Sequence, residues 1–141
     1  MRIEPQQFRA FLLDTGLVTE KQFLEVEAKA SKTGRKISDV LISEGLLVQE
    51  QLTKLEAYIL GIPFVNLEKE TIAPDVLKTI PEPIARSHNI VAFRKKGKNL
   101  EVAMLDPEDL RTIEFLKKTS DLKILPRLTT TQSIKNVLRQ Y

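Results

Sequence analysis

The side chains best equipped for chemistry in this 141-residue sequence are few and scattered. The single histidine, His88, offers one acid or base near neutral pH, and one histidine rules out a multi-histidine metal cluster. With no second histidine or clear partner, it reads as a structural residue packed between a helix and a strand, one nitrogen bonded to backbone. Asp106, Glu108 and Asp109 bring three carboxylates together, a set able to hold a divalent ion or share acid–base work. Their place at the start of a helical pattern explains them more cheaply, because carboxylates are favourable at that end of a helix. Arg35 and Lys36 are exposed charge or an anion contact. Arg94, Lys95, Lys96 and Lys98 surround Gly97 in a predicted hairpin turn, where four charges can touch phosphates. A solvated turn is the simpler reading, and without tryptophan near that cluster specific nucleic-acid recognition has little support.

What is missing narrows the field further. Zero cysteines exclude disulfides, thiolate zinc sites and cysteine nucleophiles, and fit a reducing compartment. Gly34-Arg35-Lys36 lacks the upstream glycines of a phosphate-binding loop, and neither a G-x-G-x-x-G fingerprint nor a G-x-S-x-G elbow occurs. No catalytic set, metal site or cofactor is therefore expected in this region. Apolar stretches are broken by Asp14, Glu44 and Lys54, so no membrane span is predicted. Met1 to Gln7 carries Glu4 and Pro5 and no apolar signal core. Hydrophobic residues at 42% against 29% charged indicate a globular chain. The net charge of +3 is uneven: residues 1–60 hold eight Lys/Arg against nine Asp/Glu, and residues 61–141 fourteen against ten.

The elements that would position these groups fall into two kinds. Displaced by 29 residues, Leu12, Gly16, Leu17, Gln22, Glu27 and Ala28 fall on Leu41, Gly45, Leu46, Gln51, Glu56 and Ala57. Each unit reads as a short apolar helix, a glycine able to take positive φ, an apolar pair and a longer helix. Thr19 with Gln22 forms a capping-box pattern for a helix from Glu20. Phe23, Val26 and Ala30 share one face of it, and Leu52, Leu55 and Ile59 share the corresponding face in unit two. After Gly61 and Pro63 the period changes. Pro63 to Leu67 reads as extended, Pro74 leads a helical turn through Leu77, and Pro81 and Pro83 frame a short helix. Ile90 to Phe93, Leu100 to Leu105 and Leu122 to Leu125 read as strands, the last ended by Pro126. Asp106 and Pro107 read as cap and first residue of a helix with Leu110, Ile113, Phe115 and Leu116 on its apolar faces. A closing helix is predicted near Gln132 to Arg139. The expected fold is mixed α/β (α+β). Residues 1–60 form a helical subdomain of two 29-residue repeats, packed on a small α/β subdomain, residues 61–141, with a three-stranded sheet.

The repeat and the segments after it resemble a known family, the N-terminal domain of type II secretion system and type IV pilus assembly ATPases. A family unit reads roughly Arg-Leu-Gly, then a second glycine, an apolar pair, and a helix ending in glutamine. Gly16 and Gly45 match the second glycine. Gly61-Ile62-Pro63-Phe64-Val65, Ile84-Ala85-Arg86-Ser87-His88, Leu100-Glu101-Val102-Ala103-Met104 and Asp106-Pro107 follow in the family's order. The resemblance implies a non-catalytic interaction module that docks to the cytoplasmic region of a membrane-platform protein and meets its own ATPase domain. ATP binding is implied only for the full-length family members. It also implies a cytoplasmic location, peripheral to the inner membrane through partners, with no direct insertion and no specific nucleic acid. Some members bind cyclic di-GMP through the repeat, which makes a sensor the alternative. Carried over, the leading arginine falls on Gln7 and Lys36, the early glycine on Arg9 and Ser38, and the terminal glutamine on Ala30 and Ile59. Apolar positions persist at Phe8 and Ile37. Gln7, Phe8, Arg9, Lys36, Ile37 and Ser38 are thus degenerate ligand positions, and Phe8, Phe11 and Leu12 are the candidate docking contacts.

Overall fold

A computed structural model describes residues 3–141, which form two compact units, residues 3–61 and 62–141. The first unit is four helices: α1 (Pro5–Asp14), α2 (Glu20–Thr33), α3 (Ile37–Ser43) and α4 (Gln49–Leu60). The 29-residue spacing lays α3 on the second half of α1, and α4 on α2. Between paired helices the chain turns at Gly16 (φ +72°) and Gly45 (φ +74°), each with open space where a Cβ would stand. Glycine is there for the left-handed backbone alone. Thr19 caps α2, its hydroxyl accepting from the Gln22 amide at 3.1 Å while the Gln22 side chain accepts from the Thr19 amide at 2.9 Å. The second copy keeps half of this box. Gln51 accepts from the Val48 amide at 3.0 Å, but valine has no oxygen to return the bond. Leu12, Phe23, Val40, Leu41 and Leu52 fill the core between the helices. Phe23 is 2% exposed, and removing such a ring costs about 3–5 kcal/mol.

The second unit runs α5 (Pro74–Leu77), α6 (Glu82–His88), β1 (Ile90–Lys96), β2 (Asn99–Met104), α7 (Leu110–Ser120), β3 (Lys123–Leu128) and α8 (Thr131–Leu138). The chain is thus mixed α+β, as expected, with one sheet in the order β1-β2-β3. β1 and β2 are antiparallel, and β2 and β3 are parallel across the α7 crossover. The hairpin turn is Gly97-Lys98, with Gly97 at φ +61°, the positive-φ first position that a tight two-residue loop demands.

Three expectations are corrected here. Pro126 does not end β3, which continues to Leu128. The Lys123 and Thr129 amides bond toward β2 at Lys98 O (2.7 Å) and Met104 O (3.2 Å). Leu128 instead exchanges bonds with Pro63 O and the Val65 amide, at 2.9 and 3.0 Å. Even-numbered residues of β3 therefore aim their backbone away from β2, so proline at 126 removes no β2–β3 bond. Second, α7 starts at Leu110 with Asp109 as its cap, three residues after the predicted one. Asp106 is committed to a turn of its own, accepting from the Glu108 amide at 3.0 Å. Asp109 accepts from the Thr112 amide (3.4 Å) and hydroxyl (2.7 Å). Third, Ile113 and Leu116 are buried on α7, but Leu110 and Phe115 are 66% and 47% exposed.

The core of this unit includes Ile80, Ile90, Val91, Leu100, Val102, Met104, Leu116 and Ile134. The connecting segment at 67–72 has no ladder of its own, and α8 supplies the missing partners. The Leu67 amide donates to Ser133 Oγ at 2.9 Å, and the Ile72 amide to Gln140 Oε1 at 2.8 Å. Asn136 Nδ2 donates to Leu67 O and Glu70 O at 2.7 and 3.0 Å. Tyr141 closes the unit by donating toward Leu77 O (3.1 Å) and Ile80 O (2.7 Å). Burial, aided by the charge of Glu82, pushes its phenol up to about 12.

Candidate functional site

The repeat positions come first, because they carry the sequence's ligand and docking expectations. Gln7 lies on α1 and is exposed. Arg9 sits two residues on, and its guanidinium lies over the Phe23 ring (5.3 Å to the centroid) with Nη2 3.5 Å from the Glu20 carboxylate. A side chain there covers the α1–α2 junction, where glycine would leave the helix surface bare. In the second copy Lys36 is the residue before α3, with extended backbone (φ −71°, ψ 145°), and is exposed. Ser38 and Ile37 are half-buried on the first turn of α3. Neighbouring Arg35 reaches Ser43 Oγ at 3.4 Å.

Phe8 and Phe11 pack partly buried against the helical core, while Leu12 is fully buried within it. Leu12 therefore offers no exposed contact. Phe11 meets the Tyr58 ring edge-to-face, centroids 5.5 Å apart, and Tyr58 is 73% exposed. Tyr58 was not legible as a surface aromatic from the sequence, since α4's periodicity gives its buried face and not what stands beside that face. A separate depression of about 330 Å³ is lined by Gln22, Glu25, Val26, Lys29, Glu44 and Leu46. Lys29 pairs with Glu44 across it, so its one cation is already engaged.

In the second unit, His88 is not packed between helix and strand. It ends α6 half-exposed, with Nδ1 3.4 Å from Asp109 Oδ2. Asp109 is thereby shared between capping α7 and facing His88. A shallow depression of about 290 Å³ alongside is lined by Ile84, His88, Arg111, Thr112 and Phe115. Among the described residues, no three His, Cys, Asp or Glu side chains converge to hold a metal, and no helix is long and apolar enough to cross a membrane. Sequence reasoning missed one ionic arrangement. Glu101 receives Arg94 at 3.1 Å and Arg127 at 3.2 Å, joining all three strands on one sheet face. Only the register, pairing Glu101 with Arg94 and neighbouring Leu125, brings them together.

Known proteins resemble this chain in sequence and in fold. The MshEN domain family matches residues 60–141. The type IV pilus assembly ATPase PilB of Myxococcus xanthus (strain DK1622) is 26% identical over 130 residues, 92% of this chain and 23% of that protein. PilB of Thermus thermophilus is 25% identical over 143 residues, all of this chain and 16% of that protein. The chain thus spans less than a quarter of the length of these relatives. A structure of MshE with cdg, cyclic di-GMP, superposes with a TM-score of 0.72 at 28% identity, covering 99% of this chain and 100% of that one. The N-terminal domain of XpsE shares the fold, with a TM-score of 0.60 at 14% identity over 100% and 99% of the two chains.

Proposed function

The chain belongs to the MshEN domain family, and on that premise we propose that it is the non-catalytic N-terminal module of a pilus-assembly or secretion ATPase. It docks onto the cytoplasmic region of a membrane-platform protein, and hydrolysis belongs to a separate ATPase domain. The module is cytoplasmic and reaches the membrane through that partner. One observation carries this reading: nearly the whole chain is accounted for by a minor part of each pilus ATPase it resembles. Phe11 and Tyr58 support a docking face on the helical unit, since their paired rings stand at its surface and exposed aromatics anchor interfaces. The test is a pull-down against the platform's cytoplasmic region. Binding should disappear when residues 1–60 are deleted and fall about 30-fold in Tyr58→Ala, the size of an interface hot spot. Unchanged affinity in both would move docking to the second unit or refute it.

The likeness to MshE with cyclic di-GMP favours a second reading, a sensor of that ligand. The side chains weigh against it. A dianionic ligand lying along the repeats calls for bidentate donors and close backbone approach. Gln7 brings no charge, Lys36 a single point charge, and Arg9 already covers Phe23. Each lost bidentate pair costs about 1–3 kcal/mol. Titration calorimetry with cyclic di-GMP should therefore show no saturable binding near 1 μM, a threshold of about −8 kcal/mol. Gln7→Arg, Arg9→Gly, Lys36→Arg and Ser38→Gly together should create it. Saturable micromolar binding by the natural chain, weakened by Lys36→Ala, would promote the sensor over the docking module.

A further inference from the structure

The hairpin lysines do not stand alone at their end of the second unit. The Lys123 amide donates to Lys98 O at 2.7 Å, which seats the start of β3 beside the turn. Lys98 Nζ lies 4.0 Å from Asp121, the residue that ends α7 and takes a left-handed conformation (φ +55°). The last turn of α7 thereby brings Lys117 and Lys118 to the same end as Lys95, Lys96, Lys98 and Lys123. All six are exposed. Against them stand Asp121, its side chain 97% exposed, and Glu114, 3.6 Å from Lys117. Outside this end, residues 62–141 hold eight Lys/Arg and eight Asp/Glu. The whole net charge of the unit, +4, is therefore gathered at one pole.

Local needs explain only part of this arrangement. Lys117 and Lys118 complement the negative end of the α7 dipole. Nothing comparable calls for three lysines in and beside a two-residue hairpin turn, where like charges repel one another. We propose that this pole is an electrostatic contact surface for the anionic phospholipid headgroups of a bilayer. The chemistry selects that class of occupant. Every cation at the pole is a lysine, a hydrated point charge on a flexible stem, suited to mobile phosphates rather than to a fixed bidentate partner. The pole also lacks the exposed aromatic and arginine anchors that mark a protein-docking hot spot: Phe93 is half-buried, and Arg94 is committed to Glu101. Contact is with headgroups alone, since no apolar side chain accompanies the lysines into a bilayer. The proposal stands independently of the docking face on the helical unit.

The test is co-sedimentation of the 141-residue chain with vesicles of pure phosphatidylcholine and of phosphatidylcholine containing phosphatidylglycerol. Binding is expected only to the anionic vesicles, and it should weaken steeply from about 50 to 300 mM salt. Each lysine near such a surface is worth about 5-fold in affinity, so Lys95→Gln, Lys96→Gln and Lys98→Gln together should weaken binding by roughly 100-fold. The same number of charges removed elsewhere, by Lys69→Gln, Lys78→Gln and Lys135→Gln, should leave it within about 5-fold. Equal losses in the two triple variants would show a response to net charge alone and overturn the proposal. So would an absence of binding to anionic vesicles at the lowest salt, or tighter binding to duplex DNA or polyglutamate than to the vesicles.

Discussion

The two copies of the helical repeat make an internal control for one stabilising device. Thr19 and Val48 occupy equivalent places, with backbone angles of φ −80°, ψ 161° and φ −95°, ψ 160°. Each glutamine three residues on accepts from the backbone amide at the cap. The hydroxyl alone differs. Thr19→Ala should destabilise the chain by about 1 kcal/mol, the usual worth of a side-chain cap. Val48→Thr should stabilise it by a similar amount, because the Gln51 amide gains an acceptor where it now has none from the cap residue. Val48 is 61% exposed, so exchanging a methyl for a hydroxyl there sacrifices little apolar burial. Urea unfolding followed by far-ultraviolet circular dichroism reads both changes as midpoint shifts at constant slope. The double variant Thr19→Ala/Val48→Thr should return close to the starting stability, since the two caps share no partner. A neutral or destabilising Val48→Thr would refute the claim that the missing hydroxyl distinguishes the two helix starts.

Gly16→Ala and Gly45→Ala should each cost about 1–2 kcal/mol in the same assay, and nearly equally, because both need positive φ and neither meets a steric neighbour. Leu12→Ala should cost about 2–5 kcal/mol as a core deletion, while leaving platform affinity unchanged in the fraction that remains folded. Burial pushes the Tyr141 phenol up to about 12 from the usual 10, so it favours the fold below pH 10, and that contribution disappears as pH rises toward 12. In a Tyr58→Phe background, the tyrosinate absorbance should have its midpoint near 12, and a midpoint near 10 would contradict the burial of the Tyr141 phenol beside Glu82.

The sequence made some of this legible because the signal was local. Repeat spacing located four helices, and Thr19 with Gln22 located a helix start to the residue. At Pro126 and His88, where reading failed, the deciding partner lay far away in the chain. Pro126 looked like a strand end because proline lacks a donor, and only the parallel register shows that this position faces away from β2. Asp106 and Asp109 are equally good caps by type; the turn that Asp106 forms with Glu108 decides between them. His88 was read as interior because nothing nearby in sequence announced Asp109, twenty-one residues on, as its neighbour. At the candidate ligand positions the substitutions themselves were plain. That Arg9 would settle over Phe23 required the crossing of α1 and α2.

The side-chain tether between α8 and the segment at 67–72 bears on how the chain comes off the ribosome. Ser133, Asn136 and Gln140 reach back 66 to 70 residues to satisfy Leu67, Glu70 and Ile72. Closing so long a loop is an entropic debt that must be met before those bonds form. The helical unit has no such delay, since its core residues lie between Leu12 and Leu55 and the turns joining its paired helices are short. During synthesis it is the part expected to fold first, while the segment at 67–72 keeps its amides in water until α8 has been translated. Pulse-labelled hydrogen exchange during refolding should then show α2 and α4 protected before the amides of Leu67 and Ile72.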